Sequence, residues 1–210
     1  MPPPECPDWS RLETPEMVLS VVSGMADFHR FIFKNSKHYI IQHGDIKAWH
    51  GKIFQHVVPL SYYAGNYRSD DPSKPCLQKD VAVPPNPGAP YASVPRLMKE
   101  FSDELGHQVV DIKRFIAKAT VVEKSRAEIQ LVAFAVGQFI KIHPFLNGNG
   151  RMSRLVANYF LVRFGYRLLY PHPYDRPVNA EYQAASFACM QDDYKPMFRF
   201  ILTLLAASAS

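Results

Sequence analysis

Cysteine is scarce in this chain, and its distribution matches no common metal motif. Cys6, Cys76 and Cys189 lie far apart in the sequence, and neither a Cys-x-x-Cys pair nor a His-Glu-x-x-His helix occurs. A structural zinc site is therefore excluded, because such sites need closely spaced ligands. We expect the cysteines to be reduced and the protein to work in a reducing compartment.

Long apolar runs are absent as well. No stretch approaches the length of a membrane span, and residues 1–5 lack the charged and apolar regions of a signal peptide. We therefore predict a cytoplasmic protein with no membrane partner. An effector that is secreted without such a signal would have the same sequence features.

The composition is that of one globular domain, with 47% hydrophobic and 20% charged residues in 210. The net charge of +5 and the pI near 9.1 favour acidic partners or polyphosphates. Lys113, Arg114 and Lys118 alternate with apolar residues, but aromatic residues do not accompany them. We interpret these cations as a solvated helix face and predict no nucleic-acid partner.

Proline is concentrated in two places. We predict that residues 1–13, which are rich in proline, form a disordered N-terminal segment and that residues 14–210 form a single domain. Prolines between residues 69 and 95 exclude a helix there. This stretch is either an interdomain linker or a short hairpin around the turn-prone residues 84–88. We favour the hairpin, over about residues 77–93, because both flanking segments are needed for one core.

Helical patterns dominate the remainder and predict an all-α bundle with one inserted hairpin. Thr14 and Pro15 predict a helix start, and Asp45 predicts another. Gly106 and Gly165 predict helix ends. Residues 127–142 are apolar on nearly every side, which predicts a buried central helix. The expected core positions of the first two helices are Val18, Val22, Met25 and Ala26, then Ile46, Trp49 and Ile53.

The most informative stretch is residues 143–154, which read His-Pro-Phe-Leu-Asn-Gly-Asn-Gly-Arg-Met-Ser-Arg. Pro144 disfavours helical geometry at His143, so the central helix should end there and leave an imidazole at its end. Gly148 and Gly150 allow positive φ and close approach of a ligand. A second helix should begin near Arg151.

The second half of this stretch has the properties of a polyphosphate site. Arg151 and Arg154 lie three residues apart and project from one side of the second helix. Guanidinium groups form bidentate bonds to phosphate, and the free amides at a helix start attract anions. The side-chain amides of Asn147 and Asn149 can meet a metal or a phosphate. Together these residues predict a base beside a phosphate site.

This stretch resembles the signature of the Fic (filamentation induced by cAMP) family. An upstream Ala-Gly-Asn-Tyr-Arg element, residues 64–68, is similar to another family element. The resemblance implies a protein adenylyltransferase, in which AMP from ATP moves to a hydroxyl side chain of a target protein and pyrophosphate leaves. By position, His143 would be the general base, and Phe145 would anchor the loop.

The resemblance also implies ligands for the nucleotide. Gly148, Asn149 and Gly150 would cradle the α- and β-phosphates, Arg151 would hold the β-phosphate and Arg154 the γ-phosphate. Asn147 stands where many members carry an acid that binds Mg²⁺, so a neutral amide replaces a charged ligand. Tyr182, on a helix that resembles the one closing the adenine pocket in the family, would either stack on the base or be a half-buried core tyrosine. Asn158 lies one turn beyond Arg154 on the same side of the helix, so by position it would also face the nucleotide.

The resemblance further implies that the hairpin is a flap on which an extended segment of the target protein docks. Many members carry an inhibitory helix with a Glu-Gly or Glu-Asn pair, which this sequence lacks. We therefore expect a separate antitoxin-like inhibitor or a free effector. Two alternatives stay open. One is a related transfer of UMP, phosphate or phosphocholine, or the removal of AMP, and the other is a nucleotide-binding regulator without enzymatic activity.

Overall fold

The computed structural model describes residues 6–9, 14–37, 39–83, 86–166 and 180–207, which contain seven α-helices, one two-stranded hairpin and three short 3-10 helices. The predicted all-α fold with an inserted hairpin is confirmed. The elements in chain order are α1 (Pro15–Asn35), α2 (His43–Phe54), β1 (Ala82–Val83), β2 (Asn86–Pro87), α3 (Val94–Ile116), α4 (Val121–Ile142), α5 (Asn149–Phe164), α6 (Ala180–Met190) and α7 (Lys195–Ala207).

Helix α1 starts where the sequence predicts, because the Thr14 hydroxyl accepts a hydrogen bond from the Met17 amide at 3.3 Å. The predicted buried face is wrong in part. Met25 is buried as predicted, but Val18 is exposed, and the other buried positions are Val21, Phe28, His29 and Ile32. The face is rotated because Phe28 packs on Trp49 of α2, with ring centroids 5.5 Å apart.

The N-cap residue of α2 lies three residues before the predicted cap, Asp45. Gln42 is the N-cap residue, and Asp45 acts from within the first turn by accepting a hydrogen bond from the Gln42 amide at 2.7 Å. The predicted core positions of this helix, Ile46, Trp49 and Ile53, are all buried.

Helix α3 does not end at Gly106, so the predicted stop is wrong. Phe101, Leu105 and Val109 continue one buried face through the glycine. The cost of a glycine inside a helix is only about 1 kcal/mol, which this packing offsets.

Helix α4 is the buried centre of the bundle and packs on α3, α5, α6 and α7. It begins at a capping box in which the Thr120 amide donates to the Glu123 carboxylate at 2.9 Å. Gly137 permits close packing, because a Cβ atom there would lie 2.6 Å from a ring carbon of Tyr194 and 2.8 Å from the Cys189 sulfur. The central position predicted for this helix is confirmed.

The hairpin is antiparallel, with Ala82 opposite Pro87 and Val83 opposite Asn86. It lies inside the stretch for which the sequence left open a linker or a hairpin. The predicted turn residues 84 and 85, and a loop expected within residues 167–179, lie outside the described residues.

The N-terminal residues differ from two expectations. Cys6 forms a disulfide with Cys76, so the prediction of reduced cysteines is wrong for this pair. Residues 6–9 are placed against the core rather than disordered, since Trp9 is buried and packs edge-on against Phe54 with ring centroids 5.4 Å apart. The disulfide removes the basis for predicting a reducing compartment, because such bonds persist mainly in oxidising compartments.

The third cysteine, Cys189, is free and buried. Its burial raises the pKa of the thiol to about 12, so the thiol is inert at neutral pH. Among the described helices, none has the combination of length and apolar character that crossing a membrane requires.

Candidate active site

The imidazole of His143 stands at the end of the central helix, as the sequence predicts. Helix α4 ends at Ile142, and His143 is its C-cap residue with φ 52° and ψ 60°, a left-handed conformation. The His143 amide still donates to the Phe139 carbonyl at 3.0 Å. Pro144 then turns the chain away from the helix axis, because the residue before a proline avoids right-handed helical geometry.

The protonation state of His143 suits a base. The pKa of this histidine is lowered to about 4, mainly by burial; the Ile140 carbonyl opposes the shift, and the nearby Arg68 charge contributes to it. The Nδ1 atom lies 3.4 Å from the Ile140 carbonyl oxygen, which can only accept a hydrogen bond. Nδ1 therefore carries the proton in that contact, and Nε2 keeps a lone pair that can accept a proton at neutral pH.

Phe145 anchors the loop that follows, as expected. Its side chain is fully buried and stacks on His50 of α2, with ring centroids 3.7 Å apart and planes 8° apart. His50 also bridges two loops, since its Nδ1 accepts from the Gly65 amide at 3.0 Å and its Nε2 lies 3.2 Å from the Asn147 carbonyl oxygen. His50 therefore holds the signature loop on α2.

His50 works in its neutral form. Its pKa is lowered to about 3, mainly by burial; the Asn147 carbonyl opposes the shift, and the charge of Arg151 contributes to it. Sequence reasoning missed this residue because a single histidine in an amphipathic helix has no distinctive spacing. Its partner at Asn147 is 97 positions away along the chain.

Asn149 braces the same loop from inside. Its side-chain oxygen accepts from the Phe145 amide at 2.9 Å, and its side-chain nitrogen donates to the Phe145 carbonyl at 2.8 Å. Both ends of the side-chain amide are thus used within the loop. Only the backbone amide of Asn149, at the first position of α5, is placed to meet a phosphate.

Gly148 makes the turn into α5 possible. It is the N-cap residue with φ 79°, and a Cβ atom there would lie 2.7 Å from the Phe54 ring. The predicted start of this helix near Arg151 is wrong by two residues, because α5 begins at Asn149 and includes Gly150, which therefore does not use the positive φ that glycine allows. The first backbone bond of the helix joins the Met152 amide to the Gly148 carbonyl at 2.9 Å. The preceding amides therefore face the turn, where a helix start attracts anions.

The two arginines of the signature lie beside this turn. Arg151 is half-buried, and its guanidinium carbon lies 5.6 Å from the centre of the Phe54 ring. Arg154 is buried, and its Nη1 lies 3.6 Å from the point that a Cβ atom of Gly150 would occupy. The absence of a side chain at Gly150 thus leaves the Arg154 guanidinium next to the helix start.

Asn147 offers only a weak metal ligand. Its side-chain oxygen accepts from the Gly148 amide at 2.6 Å. Within the described ranges, no group of three or more His, Cys, Asp or Glu side chains could hold a metal ion. Magnesium usually needs one or two carboxylates besides phosphates and water. These residues therefore do not fit a magnesium ion held by the protein itself.

Asn158 and Tyr182 contact neighbouring helices of the bundle. Their nucleotide-binding roles stay predictions. Asn158 is fully buried, and its side-chain nitrogen lies 3.1 Å from Nε2 of His29 in α1. Tyr182 lies on α6 and packs on Phe200 of α7, with ring centroids 5.5 Å apart. Both contacts connect α5 and α6 to the outer helices of the bundle.

The base of the hairpin lies directly against His143. A Cβ atom at Gly88 would be 3.1 Å from the Cβ of His143, and the Ala89 amide donates to the Lys141 carbonyl at 3.3 Å. Arg68, fully buried, lies between this segment and α4. The sequence indicates Arg68 only as part of an upstream element, whereas the structure places it next to His143.

The site thus joins a neutral imidazole to a helix start and two guanidiniums, and comparison with known proteins agrees with it. A profile of the Fic/DOC family matches residues 40–161. The chain belongs to the Fic/DOC family. The match covers more than half of the chain, including α2 and the signature.

Curated relatives with similar sequences carry the name protein adenylyltransferase Fic. The chain is 28% identical over 157 residues to the one from Drosophila willistoni and 27% identical over 157 residues to the one from Drosophila persimilis. Both alignments cover 75% of this chain and 26% of the relative. The chain therefore spans about a quarter of the length of these relatives.

A solved structure shows the same fold. It is a Fic domain containing signaling protein from Bacteroides thetaiotaomicron, with a TM-score of 0.63 and 18% sequence identity. The superposition covers 93% of this chain and 69% of that one. The bundle outside the family match is thus also shared with this Fic/DOC structure.

Proposed function

We propose that this Fic/DOC chain is a protein adenylyltransferase that moves AMP from ATP to a hydroxyl side chain of a target protein and releases pyrophosphate. The observation that carries the proposal is the neutral His143 beside a helix start with two guanidiniums. The names of the similar curated proteins support it. An imidazole that is neutral at working pH and stands at the end of the central helix can accept a proton from a hydroxyl group.

In the proposed reaction, Nε2 of His143 accepts the proton of the target hydroxyl. The hydroxyl oxygen attacks the α-phosphorus in line and forms a new P–O bond, while the bond to the β-phosphate oxygen breaks. The electron pair of that bond leaves with pyrophosphate. Positioning and electrostatic stabilisation supply most of the rate increase in reactions of this class.

The phosphates are held by the turn and the arginines in this proposal. The backbone amides of Gly148, Asn149 and Gly150 bind the α- and β-phosphates, Arg151 binds the β-phosphate and Arg154 binds the γ-phosphate. Arginine suits this role because its fork matches two phosphate oxygens. Tyr182 and Asn158 are proposed on the nucleoside side. Magnesium enters only as the counter-ion that ATP brings, since the protein supplies a single neutral oxygen from Asn147.

The target protein is proposed to dock on the flap formed by β1 and β2. Adding an extended segment to a strand uses backbone hydrogen bonds and gives little side-chain selectivity. We keep a separate antitoxin-like inhibitor as a proposed partner.

A second candidate is a related transfer of UMP, phosphate or phosphocholine, or the removal of AMP. Asn147 favours it, because a neutral amide at this position changes how the nucleotide and its counter-ion are held.

The decisive experiment incubates the purified chain with Mg²⁺, ATP and a lysate and follows modification by intact-mass and peptide mass spectrometry. We expect an AMP increment that disappears in His143→Ala while nucleotide binding is retained. His56→Ala, which changes an exposed histidine on the same chain, serves as the matched control and should keep the increment. An increment of UMP, phosphate or phosphocholine would support the second candidate, and loss of nucleotide binding in His143→Ala would contradict the role of that residue.

A further inference from the structure

Arg68 is buried. Its guanidinium donates hydrogen bonds to backbone carbonyl oxygens and forms an ion pair with one carboxylate. Nε donates to the His143 carbonyl at 2.9 Å, and Nη2 donates to the Ile142 carbonyl at 3.0 Å and the Ala89 carbonyl at 2.8 Å. Nη1 donates to the Lys79 carbonyl at 3.4 Å. The residue's own amide donates to the Pro144 carbonyl at 2.8 Å.

These acceptors belong to two separate parts of the molecule. Ile142 and His143 are the end of α4, where the helix leaves carbonyls without partners and carries the negative end of its dipole. Lys79 and Ala89 lie on either side of the hairpin, before β1 and after β2. A single side chain therefore joins both ends of the flap to the residue that carries the imidazole.

Burying the charge of Arg68 costs free energy unless hydrogen bonds stabilise the guanidinium. The guanidinium is 0% exposed, and its ion-pair partner Asp80, 3.7 Å away, is 68% exposed. Burial lowers the pKa of Arg68 to about 10, so it stays charged at neutral pH. A buried charge is tolerated only where hydrogen bonds satisfy it, and here carbonyl oxygens do so.

We infer that Arg68 is a positioning residue that fixes the distance between the docking flap and His143. The inference rests on the proposed function, because it assigns the flap to the target and His143 to the hydroxyl proton. A target segment paired with the flap would then present its hydroxyl at a distance from Nε2 that Arg68 sets. A shift of about 1 Å at a reacting centre costs on the order of a hundredfold in rate.

Lysine cannot replace Arg68 in this role. Its ammonium is a single point with three donors, whereas the acceptors here lie on different sides of a planar fork. Gly88 supports the same contact from the flap side, because a Cβ atom there would lie 3.1 Å from the Cβ of His143 and 3.4 Å from Nη2 of Arg68.

The test compares Arg68→Lys with Arg96→Lys, the same exchange at an exposed arginine of α3. The rate of AMP incorporation from labelled ATP into a fixed lysate is measured as a function of ATP, and ATP binding is measured by calorimetry. In Arg68→Lys we expect kcat to fall on the order of a hundredfold while the KM and Kd for ATP stay unchanged. Arg96→Lys should match the wild type.

Hydrogen exchange supplies a readout that needs no activity. In Arg68→Lys the amides of Gly88 and Ala89, which donate to Val81 and Lys141, should exchange about tenfold faster, while buried amides of α4 keep their protection. A wild type without any transfer would refute the proposed function, and the exchange data would still decide whether Arg68 joins the flap to α4.

Three results would overturn the inference. They are unchanged flap exchange in a folded Arg68→Lys protein, an unchanged kcat in that protein, or an equal loss of ATP binding. If Arg68→Lys does not fold, Gly88→Ala tests the same distance from the other side, because its methyl group separates the flap from His143 and keeps Arg68. We expect a lower kcat with unchanged ATP binding in that variant, and an unchanged kcat would refute the inference.

Discussion

Acidification should destabilise this protein through His50. The effect should begin at a pH higher than the pH range in which carboxylates are protonated. Protonating Nδ1 of His50 would set an N–H against the Gly65 amide that now donates to it at 3.0 Å. The ring would also lose its neutral stacking on Phe145 in a site from which water is excluded. The native state therefore resists protonation, and the pKa of this histidine is about 3 when folded.

The direction of the effect on stability follows from proton binding. An unfolded histidine has a pKa of about 6.5, so between that value and the folded pKa the unfolded state binds more protons than the native state. The contribution of His50 is complete above about pH 6.5 and decreases as the pH falls toward the folded pKa. Lowering the pH from about 7 to about 5 should remove about 2 kcal/mol of unfolding free energy for this one residue.

The assay is urea denaturation of the wild type, His50→Gln and His56→Gln at both pH values. We expect His50→Gln to be less stable at neutral pH and to lose about 2 kcal/mol less than the wild type on acidification. His56→Gln changes an exposed histidine and should lose as much as the wild type. The reasoning is refuted if His50→Gln and the wild type lose equal stability between the two pH values.

Three further predictions concern the base, the turn and the disulfide. Burial lowers the pKa of His143 to about 4. The kcat/KM of transfer should therefore be constant through neutral pH and fall only near pH 4. A fall in kcat/KM near pH 6.5 would contradict a base that burial keeps neutral. Gly148→Ala should lower the unfolding free energy, measured by urea denaturation, by more than about 2 kcal/mol and should weaken ATP binding. Both the left-handed conformation and a Cβ atom 2.7 Å from the Phe54 ring oppose a side chain there. The control Gly106→Ala, where a Cβ atom meets open space, should be neutral or stabilising. Cys6→Ser should lower the unfolding free energy by about 4 kcal/mol, the chain-entropy value for a closed loop of this length. Added dithiol should have no further effect on that variant. Equal stability of Cys6→Ser and the wild type would refute a stabilising disulfide.

Features determined by neighbouring residues could be predicted from the sequence. Pro144 alone ends α4 at Ile142, and Thr14 with Pro15 starts α1. The signature determines the local turn at Gly148, and its resemblance to the Fic family carries the fold with it. A proline that ends a helix and a side chain that caps one act through their immediate neighbours, so the structure reproduces them.

Features that depend on distant partners were missed. Arg68 bonds to the His143 carbonyl 75 positions away, and Cys6 pairs with a cysteine 70 positions away. Neither spacing has a sequence signature, because only the folded bundle brings these residues together. The predicted stop at Gly106 failed for the converse reason, since tertiary packing of α3 overrides a weak local preference.

The disulfide and Trp9 have a consequence for how this protein is divided into parts. The family match begins at residue 40, yet Trp9 covers the edge of Phe54 and lies 5.9 Å from His50, centroid to centroid. A fragment of residues 40–161 would keep every signature residue. It would lose Trp9, which packs against Phe54 and His50 beneath the signature loop. The bounds of the family match therefore differ from the bounds of the packed core, which extends at least to Trp9.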